Sequence, residues 1–147
     1  MLYVQFSSLL LKASIIAKAP NILVPKKIGL ERGKLFIIGT GPGKQGWLTP
    51  EANELIGLTS DLVGYKLYLD LLGNAASEKM LHPYELGEER DRVLRALDIA
   101  AEGKTVGLIS SGDPGIYAMA SLVFDCLKDF DKPSWNLIEI VVSPGIS

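Results

Sequence analysis

The sequence predicts an α/β domain with a mainly parallel sheet flanked by helices. From Lys34 onward, short apolar runs alternate with segments in which apolar residues repeat at helical spacing. Several of the apolar runs end in turns that contain glycine. Strands that alternate with helices in this way form parallel sheets covered on both faces. A length of 147 residues suits one domain, and a hydrophobic fraction of 48% is enough for a packed core.

The first strand and the first helix are predicted from two short stretches. Residues 35–38 are apolar and are followed by a glycine, which is typical of a short buried strand. Thr49, Pro50 and Glu51 occur in the order of a helix start, with an N-cap hydroxyl, a proline in the first turn and an early acid. This order predicts a helix that begins at about residue 50.

The middle of the chain predicts a weak strand and two helices. Residues 62–64 form the weak strand, and another helix begins within residues 65–72. The clearest helix is predicted over residues 88–102, where Val93, Leu97, Ala100 and Ala101 repeat at helical spacing. Gly103 follows in the position where glycine ends a helix.

The last part of the chain predicts a strand, a turn, a helix and a final strand. Residues 105–109 are the strand, and residues 110–115 form a dense turn. The following helix has one apolar face, formed by Ile116, Ala120, Val123 and Leu127. Residues 137–142 are the final strand.

The composition excludes several classes of function. A net charge of −2 and a pI near 5.4 provide no basic surface for nucleic acid. Cys126 is the single cysteine, which excludes an internal disulfide and disfavours a cysteine-based metal cluster, so we expect a reducing, cytoplasmic setting. Residues 1–11 are apolar, but no basic residue precedes them and Lys12 ends the run, unlike a secretory signal. The run is also shorter than the roughly 20 residues of a membrane span.

The first candidate site is the glycine-rich segment 39–43, directly after the first predicted strand. Glycines at this point allow the backbone to approach a ligand closely. Gly41 to Gly46 also matches the spacing of the dinucleotide fingerprint, although the predicted helix starts only after the third glycine. A tight strand-to-helix turn without a ligand is the alternative interpretation.

Two further segments also follow predicted strands. Residues 110–117 include Gly112, Asp113 and Gly115 at the end of a strand, where open α/β sheets bind ligands. The alternative is a helix start, with Asp113 as the N-cap and the next proline in the first turn. Residues 142–147 occupy the equivalent position after the last strand. His82, beside a proline, is interpreted as a loop or surface residue.

In this order, the three segments resemble the motifs of the tetrapyrrole methylase family, and the resemblance extends over residues 34–147. Within the family, residues 63–71 and the stretch from 86 to 120 are similar to the precorrin-3B C(17)-methyltransferases. The resemblance implies the N-terminal domain of a two-domain α/β enzyme, usually a homodimer, with its active site between the domains. It also implies methyl transfer from S-adenosylmethionine to carbon 17 of precorrin-3B, or of its cobalt form, with contraction of the ring, in cobalamin biosynthesis.

The resemblance further implies which residues bind each ligand. The residues expected to contact S-adenosylmethionine are Pro42, Gly112, Asp113, Ile116 and Ser147. The glycines expected to lie near the tetrapyrrole are Gly39, Gly41 and Gly43. No residue is assigned to proton transfer, and neither a metal nor a strong nucleophile is expected, because the sulfonium methyl group is already activated and mainly has to be aligned with its acceptor.

Two features depart from the family pattern. We expect the chain to be truncated before the second domain and therefore inactive alone. Residues 1–33 are expected to be an N-terminal extension or linker, which faintly resembles the tail of the cobalt-precorrin-5A hydrolase family.

Three other functions are compatible with parts of the sequence. A sibling methylase could act on another corrin precursor or on uroporphyrinogen. A nicotinamide-binding domain requires an acidic residue at the end of the second strand. Asp61 lies near the required distance but before the predicted strand. The third is a non-catalytic fragment that binds or dimerises, which predicts exposed apolar surface.

Overall fold

A computed structural model describes residues 32–41 and 48–144, without the side chains of Asp113 and Pro114. These residues form a five-stranded sheet with strands β1 (Lys34–Gly39), β2 (Asp61–Tyr65), β3 (Met80–Tyr84), β4 (Thr105–Ser110) and β5 (Glu139–Ser143). The strand order is β3-β2-β4-β1-β5, and every pairing is parallel. The predicted fold class is therefore confirmed.

Within the described residues, four α-helices connect the strands and cover both faces of the sheet. They are α1 (Pro50–Leu58), α2 (Lys66–Leu71), α3 (Glu89–Ala101) and α4 (Asp113–Phe130), and two short 3₁₀ turns occupy Gly73–Ala76 and Pro133–Trp135. Helices α1 and α2 pack on one face, and α3 and α4 pack on the other. No helix within the described ranges is both long enough and apolar enough to cross a membrane.

Strand β1 shows why both faces can be buried. Its side chains alternate, with Leu35 and Ile37 in the core beneath α3 and α4, and Phe36 and Ile38 in the core beneath α1 and α2. All four are at most 5% exposed. A strand buried on both faces is apolar at successive positions, which is the pattern of residues 35–38.

Three local predictions can be compared with the helix ends. Thr49 caps α1, since its Oγ1 accepts a hydrogen bond from the Ala52 N–H at 3.0 Å. Gly103 follows α3 with φ +94°, as predicted. The prediction for residues 110–115 is wrong in part, because Gly112 is the N-cap and α4 already begins at Asp113.

Strand β3 forms one edge of the sheet and was not predicted from the sequence. Pro83 interrupts the strand pattern because it has no N–H to donate, but an edge strand tolerates proline. In the register of the sheet, Pro83 lies beside Gly64 and His82 lies beside Val63. The interpretation of His82 as a loop or surface residue is therefore wrong, and only 15% of its side chain is exposed.

Candidate functional site

The candidate site is a crevice at the carboxyl edge of the sheet. Strands β1 and β4 are neighbours, but the helices that follow them, α1 and α4, lie on opposite faces. The chain therefore leaves the two strands in opposite directions, and open α/β sheets bind ligands at such a point. The first and second predicted segments follow these two strands.

Hydrogen bonds tie the start of the first segment to the second. The Thr40 N–H donates to the carbonyl oxygens of Ser110 and Ser111, at 3.0 and 3.2 Å. The Thr40 hydroxyl also donates to the Ser110 carbonyl, at 3.0 Å. Gly41 follows with φ +75°, a conformation that favours glycine. The backbone at the crevice is thus fixed on both of its sides.

The second segment packs closely against the first turn of α4. A Cβ atom added to Gly115 would lie 2.9 Å from the Ser111 Oγ and 3.1 Å from the Ser110 Oγ. Glycine at this position leaves room for both hydroxyl groups. The glycines and the aspartate of this segment were predicted as site residues, but the two serines were not, because serines are common in turns.

The third segment begins at the same edge, beside β1. Ser143 ends β5 and lies next to Ile38 in the register of the sheet. Its side chain is fully buried, and its Oγ has no hydrogen-bond partner among the residues that the structure describes. The ends of β4, β1 and β5 are therefore adjacent.

The structure brings together some of the predicted ligand-binding residues. Gly39 and Gly41 lie on one side of the crevice, and Gly112 lies on the other. Ile116 is placed differently, because its side chain is fully buried in the core beneath α3 and α4. A contact between Ile116 and a cofactor stays a prediction.

The other predicted ligand-binding residues cannot be assessed in the same way. Pro42, Gly43 and Ser147 lie outside the described residues. Asp113 is the first residue of α4, and its side chain is also outside the description. Their proposed contacts stay predictions.

The described residues provide backbone groups and hydroxyls at the crevice. Within residues 32–41 and 48–144, no three His, Cys, Asp or Glu side chains are grouped so that they could hold a metal ion. Cys126 packs in the core, as predicted, and burial raises the pKa of its thiol. A buried thiol with a raised pKa is a poor nucleophile.

Asp61 contradicts the nicotinamide-binding alternative. It is the first residue of β2, so it lies at the amino edge of the sheet, opposite the crevice. Its carboxylate accepts hydrogen bonds from the Ser60 hydroxyl at 2.7 Å and is 2.8 Å from the His82 Nε2. An acidic residue that binds a ribose belongs at the carboxyl end of that strand, and Asp61 instead attaches the edge strand β3 to β2.

The contact between Asp61 and His82 makes the stability of the protein depend on pH. Burial by itself raises the pKa of Asp61, but the hydrogen bonds from Ser60 and His82 and the charge of Lys104 outweigh burial, so the pKa lies below its usual value. A lowered pKa in the folded state stabilises the protein at pH values above the pKa of the unfolded state, about 3.9. This contribution is lost as the pH falls through the folded-state pKa.

We therefore expect Asp61→Asn to lower the free energy of unfolding at pH 6 by about 1–3 kcal/mol. The difference from the unsubstituted protein should shrink as the pH falls below about 3.9. Urea denaturation between pH 6 and pH 3 measures this difference in the free energy of unfolding. Asp70→Asn, at an exposed position, is the control. A loss in Asp61→Asn that is equal at every pH would contradict the role of the carboxylate charge.

Comparison with known proteins identifies the family. Residues 34–147 match the family model described as Tetrapyrrole (Corrin/Porphyrin) Methylases. The chain belongs to this family. The predicted resemblance is confirmed.

Individual relatives give more detail. The chain is 37% identical over 115 residues to a precorrin-3B C(17)-methyltransferase from Sinorhizobium sp, covering 78% of this chain and 44% of the relative. It is 41% identical over 113 residues to a probable cobalt-factor III C(17)-methyltransferase from Salmonella typhimurium, covering 77% and 45%. The crystal structure of the methyltransferase CobJ superposes with a TM-score of 0.68 at 38% identity, covering 78% of this chain and 47% of that one. The chain thus spans less than half the length of these relatives.

Proposed function

We propose that the complete protein transfers a methyl group from S-adenosylmethionine to carbon 17 of precorrin-3B, or of its cobalt form, with ring contraction, in cobalamin biosynthesis. The observation that supports this most is the crevice, where the ends of β4, β1 and β5 bring the three family segments to one edge of the sheet. Two relatives whose names specify C(17)-methyltransferases support the position of methylation.

The described part of the crevice fits a methyl donor. Gly39, Gly41 and Gly115 have no side chains to obstruct a ligand, and Gly112 begins α4 without a side-chain cap. When bound, S-adenosylmethionine supplies an activated methyl group, so the protein mainly has to align that group with the acceptor carbon. Backbone groups held in place by the hydrogen bonds of Thr40 suit this task.

The ligand-binding residues are assigned as the family resemblance implies. Residues proposed to hold S-adenosylmethionine are Pro42, Gly112, Asp113, Ile116 and Ser147. The macrocycle is proposed to lie near Gly39, Gly41 and Gly43. Ile116 contributes through its backbone in this proposal, because its side chain is in the core.

A second domain completes the cleft in this proposal. Residues 34–147 form the N-terminal domain, residues 1–33 are an extension or linker, and the 147-residue chain is inactive alone. The complete enzyme is proposed to be a cytoplasmic homodimer. A non-catalytic module that binds or dimerises is the second candidate, favoured by the exposure of Leu58, Met80 and Leu86, each at least 61% exposed.

Methyl transfer tests the proposal. We use this chain extended by a second tetrapyrrole methylase domain, here called the extended protein. Incubated with S-adenosylmethionine and the cobalt form of precorrin-3B, it should yield a product heavier by one CH₂ group, detected by mass spectrometry. Uroporphyrinogen should remain unmodified in a parallel reaction. Methylation of uroporphyrinogen instead would assign a sibling activity, and methylation of neither would favour the non-catalytic module.

A further inference from the structure

Arg92 is a buried charged residue at the start of α3. Its side chain is 4% exposed, although arginines are almost never fully buried unless they are paired. It lies one turn before Ala96, which is fully buried, so it occupies the face of α3 that packs on the sheet. Side chains on a helix lean toward its N-terminus. The Arg92 side chain therefore extends toward the start of α3.

This end of α3 lies at the same edge of the sheet as the crevice. Strand β3 ends at Tyr84 and α3 begins at Glu89, so the first turn of α3 is at the carboxyl edge. The helix packs against β4 and β1, the two strands that flank the crevice. Arg92 is thus at the carboxyl edge on the side of α3 and α4, and it belongs to none of the three predicted segments.

The guanidinium group of Arg92 has few partners for a buried charge. An arginine presents five N–H donors. Among the residues that the structure describes, its one charged partner is Glu89, whose Oε1 lies 3.3 Å from the Nη2, and its Nε has no hydrogen-bond partner. A buried donor without a partner is unfavourable, so a ligand that supplies an acceptor would be stabilised here.

Glu89 is a partner that a ligand can replace. Its side chain is 46% exposed, and ion pairs that include an exposed side chain contribute little to stability. The neighbouring Glu88 is engaged elsewhere, since it accepts a hydrogen bond from the Glu85 N–H at 2.7 Å. A ligand carboxylate can form two parallel hydrogen bonds with the planar guanidinium, whereas Glu89 contacts it through one oxygen.

We infer that Arg92 binds a carboxylate group of a ligand in the crevice, and that this carboxylate displaces Glu89. The inference rests on the proposed function, which supplies two sources of the carboxylate. One is a carboxylate side chain of the macrocycle, and the other is the amino-acid part of the methyl donor. Arg92 is a binding residue, and Glu89 occupies its guanidinium until the ligand arrives.

Calorimetric titration of the extended protein tests the role of Arg92 and identifies the source of the carboxylate. The probes are the cobalt form of precorrin-3B and S-adenosylhomocysteine, and neither titration requires turnover. Arg92→Met should weaken binding of one probe about 10- to 100-fold, the usual effect of losing hydrogen bonds to a charged group. Weaker binding of the macrocycle alone assigns its carboxylate, and weaker binding of S-adenosylhomocysteine alone assigns the methyl donor.

The thermal midpoint of Arg92→Met separates binding from folding. Replacing a buried charge by an apolar side chain of similar size is often neutral or stabilising, and Glu89 stays hydrated because it is half exposed. The midpoint should therefore not fall. A lower midpoint, with affinities that are unchanged or equally weakened for both probes, would assign Arg92 a structural role and overturn the inference.

Two further variants complete the test. Glu89→Gln keeps an oxygen that accepts from the Gly87 N–H, now at 3.3 Å, but removes the competing charge. It should tighten binding of the same probe about 2- to 5-fold. Arg90→Met, at an exposed position in the same turn, is the control and should change neither affinity. Unchanged affinities in both Arg92→Met and Glu89→Gln would overturn the inference.

The proposed function can fail separately from this inference. If the unsubstituted extended protein binds the macrocycle but does not methylate it, the proposed function is contradicted, and the titrations still decide the role of Arg92. If it binds neither probe, both the proposed function and the inference are overturned.

Discussion

Replacement of Gly33 by alanine is expected to lower the free energy of unfolding by about 3 kcal/mol, at the upper end of the usual cost of overpacking. The added Cβ would lie 1.7 Å from the backbone oxygen of Ala100 and 2.7 Å from its backbone carbon. Neither atom can rotate away, because both belong to the backbone of α3. The Gly33 carbonyl is also fixed, since it accepts a hydrogen bond from the Glu139 N–H at 2.9 Å.

Gly57→Ala is the matched control for this experiment. Gly57 lies within α1, and a Cβ added there would meet no atom within 4 Å. Alanine in the interior of a helix is more favourable than glycine by about 0.5–1 kcal/mol, so this variant should be slightly more stable. Urea denaturation measures both variants. A Gly33→Ala protein as stable as the unsubstituted one would show that β1 and α3 are not packed as described.

Trp135→Ala is expected to have a similarly large effect, a loss of about 3–5 kcal/mol. Trp135 is 1% exposed and fills the core beneath the ends of α3 and α4. Its indole N–H donates to the Asp98 carboxylate at 3.0 Å, and its ring contacts Phe130 with a centroid distance of 6.1 Å. Alanine would remove the ring contacts and leave a cavity that the helices can close only in part.

Two smaller substitutions separate the ring from its hydrogen bond. Trp135→Phe keeps most of the buried ring but loses the hydrogen bond. It should therefore lower the free energy of unfolding by about 1 kcal/mol relative to the unsubstituted protein. Asp98→Asn retains an oxygen acceptor at a half-exposed position and should change stability by less than about 0.5 kcal/mol. Chemical denaturation measures all three variants. A loss in Trp135→Ala no greater than that in Trp135→Phe would contradict the packing role of the ring.

The fold could be predicted from the sequence because most elements follow local rules. Strand β1 is apolar at successive positions because both of its faces are buried. Helix α3 shows helical periodicity and ends before Gly103, and α1 starts at the Thr49 cap. Each of these signals depends on residues close together in the chain.

The missed features depend on residues far apart in the chain. Strand β3 contains a proline, and it is tolerated only because the strand lies at the edge of the sheet. His82 is largely buried because it packs against Asp61, which is 21 positions away. Neither fact follows from a local pattern.

The candidate site also combines features that local sequence patterns predict with features that depend on distant residues. The glycines of the crevice could be predicted, since each follows a predicted strand and the ends of parallel strands meet at one edge. The contacts of Ser110 and Ser111 could not be predicted. They depend on Thr40, which is 70 positions from Ser110 and donates to its carbonyl, and on the packing of Gly115 against the two hydroxyls.

The measurement that tests the central claim most directly is the titration of S-adenosylhomocysteine into the 147-residue chain and into the extended protein by calorimetry. If the chain provides one half of a methyl-donor site, the extended protein should bind and the chain alone should bind far more weakly or not at all. NAD should bind to neither. Binding of NAD, with no binding of S-adenosylhomocysteine by the extended protein, would contradict the claim and would mean that the glycine-rich segment after β1 serves a dinucleotide.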